Sequence, residues 1–171
     1  MPIDISGFRN TPYLRGFIFS RQMYTVWKRV TIPAAQTKYI QMTTPDDRYI
    51  HGVSRILIPN SGASEVYMYE APTITTPGTA TLDVINLNRN SAKTSSCVFK
   101  TDPVISGGTM IEEVFLPGNL ATSYYASHGT NMRVDIETEY KLDTEYAMSF
   151  YNNSGDAMYI FWQFTFYESG N

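Results

Sequence analysis

Glu145-Tyr-Ala-Met-Ser-Phe-Tyr151, Asn152-Asn-Ser-Gly-Asp156 and Ala157-Met-Tyr-Ile-Phe-Trp-Gln-Phe-Thr-Phe-Tyr167 follow one another without a gap in this 171-residue chain. Tyr146, Met148 and Phe150 recur at every second position of the first segment. Met158, Ile160, Trp162, Phe164 and Phe166 do the same in the third. A period of two sends alternate side chains to opposite faces of a strand, so each segment reads as a strand with one buried face. The middle segment supplies Asn, Gly and Asp, which tolerate the positive φ that a hairpin loop requires. The reading is therefore a β-hairpin. The second face of the returning strand carries Tyr159, Phe161, Gln163, Thr165 and Tyr167, which is aromatic for a wet surface. Tyr159, Phe161 and Tyr167 are accordingly expected to pack against a neighbouring element or to form a subunit interface.

The same pattern extends toward the N-terminus. Met132, Val134 and Ile136 alternate with Arg133, Asp135 and Glu137, predicting a half-buried strand at 131–138. Further strands are expected at 36–42, 48–58, 64–70, 80–87, 94–100 and 109–116, with a short one near 121–126. Pro45, Pro59-Asn-Ser-Gly62, Pro72, Pro77-Gly78, Asp102-Pro103, Gly107-Gly108 and Pro117-Gly118 separate them. Breakers at this spacing, with no helical periodicity, predict an all-β fold: an antiparallel β-sandwich, jelly-roll-like. Its core is expected to hold Met132, Val134, Ile136, Tyr146, Met148, Phe150, Ile160, Trp162 and Phe164.

Charge divides the chain differently. Residues 1–29 contain Arg9, Arg15, Arg21, Lys28 and Arg29 against Asp4, a net +4, whereas the rest carries −7 within an overall −3. Phe8, Tyr13, Phe17, Phe19, Tyr24 and Trp27 lie in the same stretch. A basic, aromatic segment broken by Gly and Pro buries its rings poorly by itself. It reads as an extended N-terminal arm (1–29) ahead of a β-sandwich domain (30–171). Arg9, Tyr13, Arg15, Phe17, Phe19, Arg21, Tyr24 and Trp27 are its expected contacts with a partner surface. The competing reading makes 17–27 an extra strand of the body, given its β-forming composition. Nucleic acid is disfavoured, because five basic residues over 29 positions make a weak patch beside an acidic body.

Composition narrows the chemistry. The length suits one domain with an arm. Cys97 is the only cysteine, which excludes an internal disulfide or a Cys-based zinc site. No apolar run is long enough to cross a bilayer and the start does not resemble a signal peptide, so no membrane association is expected and the protein is expected to be cytoplasmic where it is made, or to leave by cell lysis. His51 and His128 have no metal-ligand spacing to another strong ligand, and both read as structural. Glu112 and Glu113 are adjacent in a strand and so face opposite ways. Asp46-Asp47 reads as a turn cap, with a calcium site as the minor alternative. Gly107-Gly108 lacks the following helix and lysine of a phosphate cradle. No catalytic residue, metal or cofactor is expected. The thirteen tyrosines suit strand packing more than a sugar platform, for which Tyr124-Tyr125 is the best candidate. Asn88-Arg89-Asn90-Ser91 reads equally as a self-bonded loop or a subunit contact.

Two stretches are distinctive: Val84-Ile-Asn-Leu-Asn-Arg-Asn-Ser91 running on to Thr109, and Leu142-Asp-Thr-Glu-Tyr-Ala-Met-Ser-Phe-Tyr-Asn-Asn-Ser-Gly155 closing with Trp162-Gln-Phe-Thr-Phe-Tyr-Glu168. Together, over roughly residues 32–168, they resemble small virion structural proteins of tailed bacteriophages. The N-terminal stretch is longer and more aromatic than that resemblance leads one to expect. The resemblance implies a β-sandwich, often trimeric, placed outside the particle as a capsid decoration (cement) protein or a related fitting. Its partner would be the major capsid protein or another virion protein. It implies no catalytic residues and no cofactor. A tail or neck component, or a carbohydrate-binding adhesin module, are the alternatives.

Overall fold

The computed structural model describes residues 22–117 and 132–170, with 132–137 described by their backbone alone. Thirteen strands occur among them: β1 (Met23–Ile32), β2 (Thr37–Thr43), β3 (Arg48–Pro59), β4 (Ser64–Glu70), β5 (Thr73–Thr76), β6 (Ala80–Thr81), β7 (Ile85–Asn86), β8 (Val98–Thr101), β9 (Val104–Ser106), β10 (Thr109–Leu116), β11 (Met132–Tyr140), β12 (Glu145–Asn152) and β13 (Met158–Gly170). The first sheet runs β11-β3-β13-β1-β7 and the second β10-β4-β12-β2-β8-β6, while β5 and β9 form a small ribbon. All pairings are antiparallel.

The alternation that marked the strands is what joins the sheets. Tyr146, Met148 and Phe150 of β12, and Ile160, Trp162, Phe164 and Phe166 of β13, are buried in one core. Phe99 of the second sheet lies 5.7–6.1 Å from the rings of Trp162, Phe164 and Phe166 of the first. Tyr140 meets Tyr146 edge-on at 5.0 Å. The result is a β-sandwich-like all-β fold. The expected core residues Met132, Val134 and Ile136 lie outside the described side chains.

Three expectations are corrected. The segments 145–151 and 157–167 are strands, but they do not form a hairpin: β12 pairs with β2 and β4, and β13 with β1 and β3. Their apolar faces oppose each other across the core instead of lying side by side in one sheet. The loop between them is a crossing, and it is fixed by Asn152. This fully buried side chain donates to the carbonyls of Ile32 (3.1 Å), Pro33 (3.1 Å) and Asp156 (2.8 Å), and its Oδ1 accepts from the Ser154 amide.

Second, 80–87 is not one strand. Ala80–Thr81 pairs with β8 in the second sheet and Ile85–Asn86 with β1 in the first, so the segment passes between sheets with Leu82 and Val84 against the core. The expected strand at 94–100 shortens to β8 because Glu168 Oε1 takes the Ser96 amide at 2.8 Å and the Ser95 hydroxyl at 2.6 Å.

Third, the arm boundary at residue 29 does not describe Met23–Ile32. All ten residues of β1 pair with β13, from Met23↔Tyr167 to Ile32↔Met158. Tyr24, Val26 and Val30 are buried in the core. The competing reading, a strand of the body, holds for this part of the segment. Arg9, Tyr13, Arg15, Phe17, Phe19 and Arg21 lie outside the described residues, as do Tyr124, Tyr125, His128 and the expected strand at 121–126.

Candidate interaction surface

Because β1, β13 and β3 are neighbours, their outward residues assemble one face of the first sheet. Register places Trp27, Gln163 and Ile56 in one row and Arg29, Phe161 and Ile58 in the next. Trp27 stacks on Phe161 at 6.1 Å, and the Arg29 guanidinium sits 5.2 Å from the Tyr159 ring centroid. Gln163 Nε2 donates to Thr25 Oγ1 at 3.1 Å, which holds the row flat. Ile56 and Ile58 are half-buried. Trp27 remains 53% exposed and Tyr159 38%, so the face is rigid yet open. Farther along, Tyr167 stacks on His51 at 4.5 Å, and His51 Nε2 lies 2.8 Å from Ser169 Oγ. The structure thus puts Tyr159 and Phe161 of the expected subunit interface beside Trp27 of the expected partner interface, with Tyr167 at the other end of the same strand.

Tyr24, also expected at the partner interface, is a correction. It is 1% exposed, stacks on Phe166 at 5.7 Å and donates to the Thr94 carbonyl at 3.2 Å. Burial, reinforced by the Glu168 carboxylate, raises its pKa. A ring held this way has no surface to offer. Trp27 and Tyr24 differ because odd and even positions of β1 face opposite ways.

Between β1 and β2 the sandwich has an open seam, a cleft of about 260 Å³ lined by Lys28, Arg29, Lys38, Tyr39 and Asp102 among others. Lys38 is already paired with Asp102 at 2.9 Å. Lys28 points into this seam, which lets a cation occupy an inward position without being buried.

The opposite flank was not foreseen. In β10, Met110, Ile111 and Phe115 are exposed, Phe115 by 58%. The signal lies in Val114-Phe115-Leu116: three consecutive apolar residues in a strand must place at least one on the wrong face, and Val114 and Leu116 are the buried ones. Glu112 and Glu113 do face apart. Glu113 is exposed, while Glu112 accepts from Arg55 Nη1 at 2.6 Å.

On the outer face of the second sheet, Tyr39, Tyr67, Tyr69 and Tyr151 lie half-buried around Ala147 and Ser149, which they cover. Tyr67 Oη donates to Glu65 at 2.6 Å, which pushes the phenol up to about 12. Asn88-Arg89-Asn90-Ser91 is the self-bonded loop: Asn86 Oδ1 accepts from the Asn88 amide, Asn88 Oδ1 from Asn90 and Ser91 Oγ from Lys93, leaving Arg89 exposed. Among the described residues, no group of three or more His, Cys, Asp or Glu is placed to hold a metal ion. No protein-family model matches the chain, and no curated protein matches its sequence.

Proposed function

We propose that this chain is a non-enzymatic structural protein of a tailed-phage virion, foremost a capsid decoration (cement) protein that acts by adhesion to the major capsid protein. The observation that carries the reading is the flat aromatic and cationic face of Trp27, Arg29, Tyr159 and Phe161 on a two-sheet body. Such a face suits burial against a protein partner: apolar area removed from water contributes roughly 25 cal/mol per Å², and Arg29 offers a planar fork to a carboxylate. The resemblance of residues 84–109 and 142–168 to virion proteins supports the same reading. So does the strand order β1-β13-β3-β11 over β2-β12-β4-β10, which suits the proposed jelly roll. The body is proposed to stand on the shell as an oligomer, a trimer by the resemblance. Arg9, Tyr13, Arg15, Phe17, Phe19 and Arg21 would extend the contact as an arm.

The test uses two truncations. Removing residues 1–21 should leave the body folded and abolish binding to purified shells, whereas removing 1–29 should unfold it, because β1 is lost. Full-length binding should weaken as salt rises, since exposed Arg contacts are screened. Full-strength binding by the shorter truncation would remove the arm from the mechanism, and absence from virions would end the reading. The tyrosines over Ala147 and Ser149 favour a carbohydrate-binding module as the second reading. In that case the free body would bind glycans, and Tyr67→Ala and Tyr151→Ala would abolish it.

A further inference from the structure

We infer that β1 of one copy pairs edge to edge with β10 of another, in antiparallel register with Arg29 opposite Glu113 and Trp27 opposite Phe115. This deepens the oligomer part of the proposed function and rests on it.

The backbone comes first. Gln22 O accepts from Glu168 N at 2.9 Å and Met23 O from Leu87 N at 2.9 Å, so even-numbered residues of β1 bond β13 and odd-numbered ones turn toward β7. But β7 reaches only Tyr24 and Thr25. Trp27, Arg29 and Thr31 therefore present N–H and C=O groups to no strand among the described residues. In β4, Ala71 N bonds Glu145 O at 2.8 Å, which assigns odd residues of that strand to β12 and even ones to β10. Val114↔Val66 and Leu116↔Ser64 are then bonded pairs, and Glu113 and Phe115 turn their backbone groups to the side that has no strand among the described residues. Antiparallel strands exchange bonds only between residues whose groups face each other, and odd against odd meets that condition.

The side chains agree with the same register. Trp27 and Arg29 lie on the outer face of the first sheet, Glu113 and Phe115 on the outer face of the second. Joining the sheets puts ring beside ring and cation beside carboxylate, the cross-strand pairs that stabilise sheets. Charge is complementary across these two edges, Arg29 on one and Glu113 on the other. Among the described residues, five of the seven exposed large hydrophobics belong to β10, β1 or the β13 position beside it: Met110, Ile111, Phe115, Trp27 and Tyr159. Bare apolar edges invite pairing, and chains ordinarily shorten or charge them. β6 and β7 are shortened to two residues, whereas β1 and β10 are not. β1 lies beside the short terminal β7 of the first sheet and β10 at the opposite end of the second, so the contact is head-to-tail and builds a ring or an open chain of copies, not a two-fold pair.

The experiment is sedimentation of the purified full chain, which needs no particle and so fails independently of shell binding. The wild type should assemble. Arg29→Glu or Glu113→Arg alone should weaken association at least about tenfold, and the double reversal should restore it. Restoration excludes simple loss of the Arg29–Tyr159 contact. Phe115→Pro removes an N–H that points to the free side, so it should fold normally and stay monomeric. A monomeric wild type, single reversals that assemble unchanged, a folded double variant that stays dissociated, or an assembling Phe115→Pro would each overturn the pairing.

Discussion

Arg55 is the most exposed point of the fold's energetics although it is nearly the least exposed residue. It lies in β3, 1% accessible, and lines a core cavity of about 10 Å³ with Met42, Met68, Met148 and Trp162. Its Nη1 donates to Glu112 at 2.6 Å, its Nη2 reaches Tyr140 Oη only at 3.4 Å, and its Nε has no partner among the described residues. Glu112→Ala would leave a buried guanidinium with one long bond. Breaking a buried pair from one side costs about 3–5 kcal/mol. Because Glu112 itself is 27% exposed, water can follow into its place, and the lower end, about 3 kcal/mol, is expected. For a chain of this size each kcal/mol moves the melting temperature by about 2–4 °C, so the loss should be about 6–12 °C. Arg55→Met with Glu112→Leu removes both charges and should recover most of it. Urea unfolding of Arg55→Met, Glu112→Leu and the double variant closes the cycle. A cost below about 1 kcal/mol for Glu112→Ala, or a double variant no better than that single, would refute the view that an uncompensated charge sets the penalty.

Trp162→Ala should cost about 3–5 kcal/mol, while Trp162→Phe should cost much less, because the buried Nε1 it removes has no partner among the described residues. Denaturant titration checks both. Glu168→Ala strips the acceptor from Ser95 and Ser96, so about 2–4 kcal/mol should be lost, and hydrogen exchange at the Ser96 and Cys97 amides should quicken. Cys97 should resist alkylation until the chain unfolds, since burial raises its pKa well above the ordinary value, with Glu168 adding to the effect. Burial likewise raises Tyr140 and lifts Tyr146 to about 12. Above pH 9–10 the unfolded chain therefore releases protons that the folded one keeps, and stability should fall with rising pH from there. Unfolding free energies that stay flat through this alkaline range would contradict the burial of these groups.

What the sequence disclosed and what it withheld follow from one property of strands. Alternation at Tyr146, Met148, Phe150 and Ile160, Trp162, Phe164 reports which face is buried. It carries no information on which strand lies alongside, so two facing strands looked like a hairpin. β1 was hidden for another reason. Lys28 occupies an inward position at the open seam and Trp27 an outward one, so the period of two is broken where it would have been read. The concentration of positive charge then made a sheet strand resemble an arm. Of the interaction face, Tyr159, Phe161 and Trp27 were visible as excess aromatics. Glu113 and Phe115 were not, because their importance depends on which way the backbone of β10 turns.

The order in which the strands are made has a consequence for biosynthesis. The strands at the middle of the two sheets, β12 and β13, are the last of the thirteen to leave the ribosome. Until then β1 lacks its long partner, 126 residues away at Ile32↔Met158 and 144 at Met23↔Tyr167, β3 lacks one of its two neighbours, and β2 and β4 have nothing between them. Loop-closure entropy must be met before these distant contacts return anything, so the nascent chain cannot close its sandwich until translation has passed residue 170, and closure is then slow. A stop codon or proteolytic cut after Asp143 would thus release two half-sheets without centres, a species that chaperones or proteases would take up before it could assemble.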